Sequence, residues 1–366
     1  MKKKILILYA SYGSGHKSVA NYIYNYLKEK NEYNLKIIDI MDYENILGSA
    51  SKKLFEENFK HENTFIFNSI YKIFNHKFTT KYYKMITKGI LKNNKLKKDI
   101  EEYNPNIIIS SHFFSTIISS IYKSEKNINP KIVSILTDYS IHELWIKELN
   151  NIDALIVGNK QIMEELKYKG IKDKIYSYGI PVSNCFNEFV SVKEKSNLNI
   201  LFFAGGSIGA TFSYKYFKSI LKHRLNYNIT LVCGNNKRLK NKCENLIKQY
   251  NKDKIKVLGF VNNINELLDN CDFVITKPGG ISITECMNKK RPMLLIPGNG
   301  GPEVDNLKYI CKKGFGINCK TPRKLSSTIS MLLSRRDLLD NMYSNLIKEK
   351  NNNSLENIYN LIKEFN

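Results

Sequence analysis

The sequence predicts an α/β protein made of two consecutive Rossmann-like units, each around a parallel sheet. Three observations carry this. Short continuous apolar runs alternate with helix-period segments along the chain, as buried parallel strands joined by crossover helices do. The first strand of each half runs straight into a glycine-rich turn, Tyr12–His16 in one and Ala204–Ala210 in the other. Between them the chain breaks at Gly179-Ile180-Pro181 and passes through the polar stretch Ser191–Asn199. A length of 366 residues accommodates two such domains. We assign 1–180 to the first and 195–345 to the second, with a final helical segment, 346–366, that can pack back on the first.

Taken in order, Ile5–Tyr9 is the first strand, and the spacing after it predicts a helix from about Ser18 to Lys30. Leu35–Ile40, Ile107–Ser110, Ile132–Leu136 and Ala154–Val157 continue the first sheet. Ile200–Phe203, Thr230–Cys233, Ile255–Val257, Phe273–Ile275 and Met293–Ile296 make the second. Residues 51–98 break the pattern. They hold twelve Lys, no Arg and three Glu, interleaved with nine Phe and Tyr. Many of these aromatics fall three or four apart, so helices with an aromatic stripe and a lysine face are expected. That pattern fits a core face with a solvated basic back. It also fits an interfacial element meeting anionic lipid through residues such as Phe65, Phe67, Lys72 and Lys77.

Composition narrows the classes. Apolar residues make up 42% and charged residues 25%, which excludes wholesale disorder and a polytopic membrane protein. The net charge of +23 draws the chain to anionic partners: nucleic acid, acidic lipid or a phosphorylated substrate. Heavy use of Lys, Asn, Ile and Tyr is what an AT-rich genome produces by drift, a source of lysine charge separate from any partner. Seven cysteines, an odd number without a C-x-x-C pair, suggest neither a zinc site nor a disulfide framework, and hence a reducing compartment. The N-terminus does not read as a signal peptide, and no run of ~18 apolar residues exists. A cytoplasmic location, peripheral on the inner face of the membrane, is expected.

Five loops after strands carry candidate chemistry. Gly13 and Gly15 permit a tight turn in Tyr12–His16, and His16 at its mouth is a candidate general base or a packing residue. Thr137–Trp145 holds Asp138, His142 and the single tryptophan, Trp145. Gly205, Gly206 and Ser207 suit a phosphate at a helix N-terminus. In Thr276–Glu285, Pro278-Gly279-Gly280 forces a turn into a helix. Glu285 lies about one turn inside it and can accept the hydroxyls of a ribose or simply suit a helix start. Pro297–Asn306 brings Glu303, Asp305 and Asn306 to the same edge. A lone G-x-G is weak evidence of a dinucleotide site, and Ser18 stands where a third glycine would belong.

Together these segments resemble a glycosyltransferase family, that of bacterial diacylglycerol glucosyltransferases and plant-type monogalactosyldiacylglycerol synthases. The matching pieces are Y-G-S-G-H at 12–16, T-D-x-x-x-H-x-x-W at 137–145, G-I-P-V at 179–182, C-G-N-N at 233–236, V-L-G-F-V at 257–261 and I-T-K-P-G-G-I-S-I-T-E at 275–285. The chain is more distantly similar to the N-acetylglucosaminyltransferase of lipid II synthesis. The resemblance implies a GT-B fold, two Rossmann-like domains with parallel sheets facing an interdomain cleft. It implies inverting transfer of a hexose from a UDP-sugar to the 3-hydroxyl of diacylglycerol. His16 is then the base, with Asp138 orienting a histidine or serving in its place. Gly205, Gly206, Ser207, Gly279 and Gly280 hold the pyrophosphate, Phe260 and Val261 cradle the uracil, Glu285 binds the ribose, and Glu303 and Asn306 read the sugar. Gly13, Gly15, His142 and Trp145 fall on the acceptor side. Pro302-Glu303 stands where the lipid II enzyme has two adjacent Gln, which favours the glycolipid branch, whereas Gly205–Ala210 is closer to the lipid II enzyme. No D-x-D motif occurs, so no metal or other cofactor is expected. Transfer of N-acetylglucosamine to a polyprenyl-linked acceptor is the runner-up. A nucleotide-sugar 2-epimerase or a basic nucleic-acid-binding protein fits less well: a soluble substrate needs no membrane face, and no RNA-binding consensus is present.

Overall fold

The computed structural model describes residues 2–11, 14–43, 94–125, 129–146, 149–171, 173–191, 197–205, 210–222, 227–298, 300–351 and 353–365. The expected membrane-facing residues Phe65, Phe67, Lys72 and Lys77 lie outside these, as do Gly13, Gly206 and Ser207. The chain forms two compact units. One contains the described residues up to Ser183 together with 353–365, the other those from Asn184 to Asn351.

The first unit is a six-stranded parallel sheet in the order β2-β1-β3-β4-β5-β6. The strands are β1 (Lys4–Tyr9), β2 (Asn34–Asp39), β3 (Ile107–Ser110), β4 (Lys131–Ile135), β5 (Ala154–Ile156) and β6 (Ile175–Tyr176). Ile5 to Leu8 are fully buried, as a strand covered on both faces requires. Helix α1 (Ser14–Lys30) follows β1 and buries Val19, Ala20, Ile23 and Leu27 on one face. It starts four residues earlier than its apolar spacing predicts, so Gly15 and His16 belong to its first turn rather than to a loop. The remaining described helices are α2 (Asn94–Tyr103), α3 (Phe113–Glu125), α4 (Glu143–Ile146) and α5 (Lys160–Tyr168). The last helix of the chain, here α13 (Ser354–Glu364), also belongs to this unit. Its Leu355, Ile358, Tyr359 and Ile362 recur at helical spacing and are buried. The Ser354 hydroxyl donates to the Tyr178 carbonyl at 2.6 Å, and Tyr359 to Glu32 at 2.7 Å. Lys30 lies 5.0 and 4.9 Å over the rings of Tyr26 and Tyr359.

The second unit has a second parallel sheet, β12-β11-β10-β7-β8-β9. Its strands are β7 (Leu198–Phe203), β8 (Tyr227–Val232), β9 (Ile255–Leu258), β10 (Phe273–Thr276), β11 (Met293–Leu295) and β12 (Gly316–Asn318). Its helices are α6 (Ala210–Leu221), α7 (Lys237–Gln249), α8 (Ile264–Asp269), α9 (Gly280–Asn288), α10 (Pro302–Lys312), α11 (Pro322–Ser334) and α12 (Arg336–Lys348). In both sheets chain order reverses beside the first strand, between β1 and β3 and between β7 and β10. Such switch points leave a crevice at the carboxyl ends of the strands. No helix among the described residues is long and apolar enough to cross a membrane.

Candidate functional site

At the carboxyl edge of the first sheet three histidines converge on the β1/β3 switch point. His16 comes from the first turn of α1, His112 from the turn after β3 and His142 from the segment after β4. The His16 and His112 rings meet edge to face, 4.4 Å apart with 80° between planes. Phe113 bridges to His142, its ring 5.2 Å away and nearly perpendicular.

The hydrogen bonds of His16 settle its tautomer. Nδ1 lies 2.7 Å from the Ser111 carbonyl, which can only accept, so Nδ1 carries the hydrogen. The Thr137 hydroxyl stands 3.2 Å from the same nitrogen. The lone pair is therefore at Nε2. Burial pushes the His16 pKa down to about 4, against the opposing effect of the Ser111 bond, so the ring is neutral at physiological pH. The same desolvation, with His16 nearby, takes His142 down to about 3. A neutral histidine with one nitrogen tied to a carbonyl and the other carrying its lone pair is equipped as a general base.

His16 is held by the Ser111 carbonyl and the Thr137 hydroxyl. One expectation needs correction here. Trp145 is only 3% exposed and packs with Leu136, Leu149 and Leu155, so it is core and not an acceptor contact. Its ring lies 6.2 Å from that of His142, which is half-buried at the edge. Ser111 and His112, just beyond the end of β3, carry no glycine-rich or motif signal in the sequence, yet they reach the same sheet edge as Thr137 beyond β4.

The carboxyl edge of the second sheet gathers the other group. Gly205 follows β7 so closely under β8 that a Cβ there would lie 2.2 Å from the Cys233 carbonyl oxygen, so only glycine fits. After β10, Gly279 opens α9 with no side-chain cap, leaving the first N–H groups of a nine-residue helix without partners in the helix. The Thr284 hydroxyl turns back to the Gly280 carbonyl at 2.6 Å. Ile281, Ile283, Thr284, Cys286 and Met287 are buried, while Ser282 and Glu285 share the half-buried face. Phe260, after β9, is 65% exposed, with Val261 half-buried beside it. An exposed aromatic at a sheet's binding edge can stack on a base.

Glu303, in the first turn of α10, reaches back over the loop after β11. A Cβ on Gly298 would strike its Oε2 at 1.9 Å, and one on Gly279 would sit 3.8 Å from its Oε1. The carboxylate thus lies between this loop and the start of α9. Asn306 needs a correction too. It is fully buried, and its amide donates to the Pro278 carbonyl at 3.0 Å. It holds the Pro278-Gly279-Gly280 turn from beneath and does not face a sugar.

Comparison with known proteins matches both units. Residues 16–182 fit the monogalactosyldiacylglycerol (MGDG) synthase family, and residues 200–358 the glycosyltransferase family 28 C-terminal domain. A processive diacylglycerol beta-glucosyltransferase of Staphylococcus haemolyticus is 30% identical over 371 residues, covering 96% of this chain and 90% of the relative. Its namesake from Staphylococcus epidermidis is 29% identical over 360 residues, covering 95% and 89%. Among solved structures, Acinetobacter baumannii MurG aligns over 99% of both chains with a TM-score of 0.66 at 13% identity. UDP-GlcNAc 2-epimerase from Neisseria meningitidis, solved with UDP-GlcNAc, aligns over 99% of this chain and 100% of its own with a TM-score of 0.60 at 13% identity. At such identities these two speak for the GT-B-type fold alone.

Proposed function

We propose, for a chain that belongs to the family of the diacylglycerol glucosyltransferases, that it moves a hexose from a UDP-sugar to the 3-hydroxyl of diacylglycerol with inversion at the anomeric carbon. The observation that carries the mechanism is His16, neutral and with its basic nitrogen at Nε2. That nitrogen takes the proton of the acceptor hydroxyl as its oxygen bonds to the anomeric carbon. The bond from that carbon to the UDP oxygen breaks on the opposite face. A base whose conjugate acid has a pKa of about 4 is weak, so the proton moves late, once bonding to carbon has acidified the hydroxyl.

The second unit supplies the grip on the donor. The α9 N-terminus at Gly279-Gly280 and the turn beginning at Gly205 suit the pyrophosphate and the charge it gains on leaving. Glu285 accepts the ribose hydroxyls, Phe260 and Val261 cover the uracil, and Glu303 reads the hexose. We assign no metal or other cofactor a part in this. The net charge of +23 suits an anionic membrane surface, where an acceptor of this kind resides. We place the enzyme there as a peripheral protein.

The test is an acceptor panel. The purified protein is offered UDP-glucose, UDP-galactose or UDP-N-acetylglucosamine with vesicles carrying either diacylglycerol or a polyprenyl-linked sugar. Lipid products are read by mass spectrometry. Hexosyl diacylglycerol is expected. Transfer of N-acetylglucosamine to the polyprenyl acceptor alone would replace this reading with the lipid II type.

A further inference from the structure

The tripeptide Ser110-Ser111-His112 closes β3 beside β1 and acts on His16 twice. Ser111 holds it: the carbonyl accepts the Nδ1 hydrogen at 2.7 Å, and the Ser111 hydroxyl donates to the His16 carbonyl at 3.0 Å. His112 packs on it, with the rings edge to face at 4.4 Å.

His112 is fixed more firmly than packing alone requires. Its carbonyl accepts from the Ser115 hydroxyl at 2.8 Å and the Thr116 N–H at 2.9 Å, and the Ser110 hydroxyl, 3.0 Å away, donates either to it or to a neighbouring hydroxyl. The Ser110 hydroxyl lies 2.6 Å from that of Ser115 and 2.9 Å from that of Thr116, and Thr116 continues to Ser134 at 3.0 Å. All four of these residues are buried in the core beneath the edge. Buried hydroxyls cost free energy unless bonded, and alanines would fill the space without needing partners. Here they form one satisfied network ending on a single carbonyl. The His112 side chain is fixed as well, because its Nδ1 accepts the Phe114 N–H at 3.1 Å. Burial, with His16 and His142 adding to it, holds the His112 pKa well below the usual range, so the neutral ring carries its hydrogen on Nε2. The adjoining rings are thus locked in opposite tautomers.

We propose that His112 is a positioning residue for the transfer reaction, whose rigidly held ring, edge-on to His16, sets the direction in which His16 Nε2 meets the acceptor hydroxyl. With 3% of its surface exposed, it acts through His16 and does not touch substrate. The inference rests on the reading of His16 as the base. A small misdirection of a catalytic nitrogen costs turnover steeply while leaving the binding of the other substrate alone.

The experiment compares the parent, His112→Leu and His112→Asn, each with and without His16→Ala. Hexose transfer to diacylglycerol vesicles is measured with UDP affinity and thermal unfolding. His112→Leu is expected to lower kcat about tenfold or more, with the donor KM changed less than about twofold. His112→Asn, whose Oδ1 can take the Phe114 N–H, should keep more of the turnover. In the His16→Ala background neither change should cost more than about twofold, because the group being positioned is gone. If His112→Leu does not unfold cooperatively, His112→Asn decides by the same cycle. Normal kcat in His112→Leu overturns the proposal, as does an equal loss with His16 absent. A parent inactive on diacylglycerol with either UDP-hexose overturns the functional reading instead, and a fully active His16→Ala overturns the base assignment.

Discussion

At His16 the chemistry and the local structure are the same fact. The Ser111 carbonyl fixes the tautomer, and burial keeps the ring neutral. His16→Ala should lower turnover by about a hundredfold or more while UDP affinity stays nearly intact, as expected when a general base is lost. Isothermal titration with UDP beside a turnover assay checks this; near-normal turnover would move the base elsewhere, with Asp138 next to examine. The depressed pKa predicts a pH profile as well. Turnover should be level between pH 6 and 8 and decline only as the pH nears about 4, where His16 takes up its proton. A midpoint close to 6.5 would mean that the titrating group is not this one. On the donor side, Glu285→Ala should weaken UDP binding by about 1–3 kcal/mol, the loss of a charged partner for two hydroxyls. Unchanged affinity in the folded variant would sink the ribose assignment.

Among the elements, the strands and their glycine-rich turns were legible because buried parallel strands are written as unbroken apolar runs, such as Ile5–Tyr9 or Phe273–Ile275. The two strands that escaped notice, β6 with two residues and β12 with three, are sheet edges too short to show any period. The α1 boundary was misplaced because the first helical turn, Ser14 to Lys17, carries no apolar stripe. Trp145 and Asn306 were misread for a common reason: motif position tells which edge a residue approaches, not whether its side chain turns inward. The turns themselves are testable. Gly205→Ala must displace the backbone from the Cys233 carbonyl and should cost both thermal stability and UDP affinity. The three atoms nearest a Cβ at Gly298 all belong to the Glu303 side chain, from its Oε2 to its Cβ, so Gly298→Ala can be relieved by moving that side chain. It should therefore raise the donor KM with little change in melting temperature. An unaltered KM there would detach Glu303 from sugar recognition.

For the whole molecule, the three histidines at the first sheet's edge link stability to pH. Their folded pKa values lie below the ordinary 6.5, so the unfolded chain binds more protons below that value. The folded state keeps its full stability above about pH 6.5 and loses it as the pH falls toward 4, which calorimetry between pH 7 and 4.5 would show. Replacing His142 with Asn should flatten part of that decline. Association with vesicles should require anionic lipid and weaken with salt, since the attraction of a +23 chain is screened over ~8 Å at physiological ionic strength. Equal binding to neutral vesicles would contradict a charge-driven surface. The most direct measurement is the anomeric configuration, by proton NMR, of the lipid formed when the protein meets α-linked UDP-glucose and diacylglycerol vesicles. A single displacement driven by His16 predicts a β-linked glucosyl diacylglycerol, made by the parent and largely lost in His16→Ala. An α-linked product, or a β-linked one made equally well without His16, would contradict it.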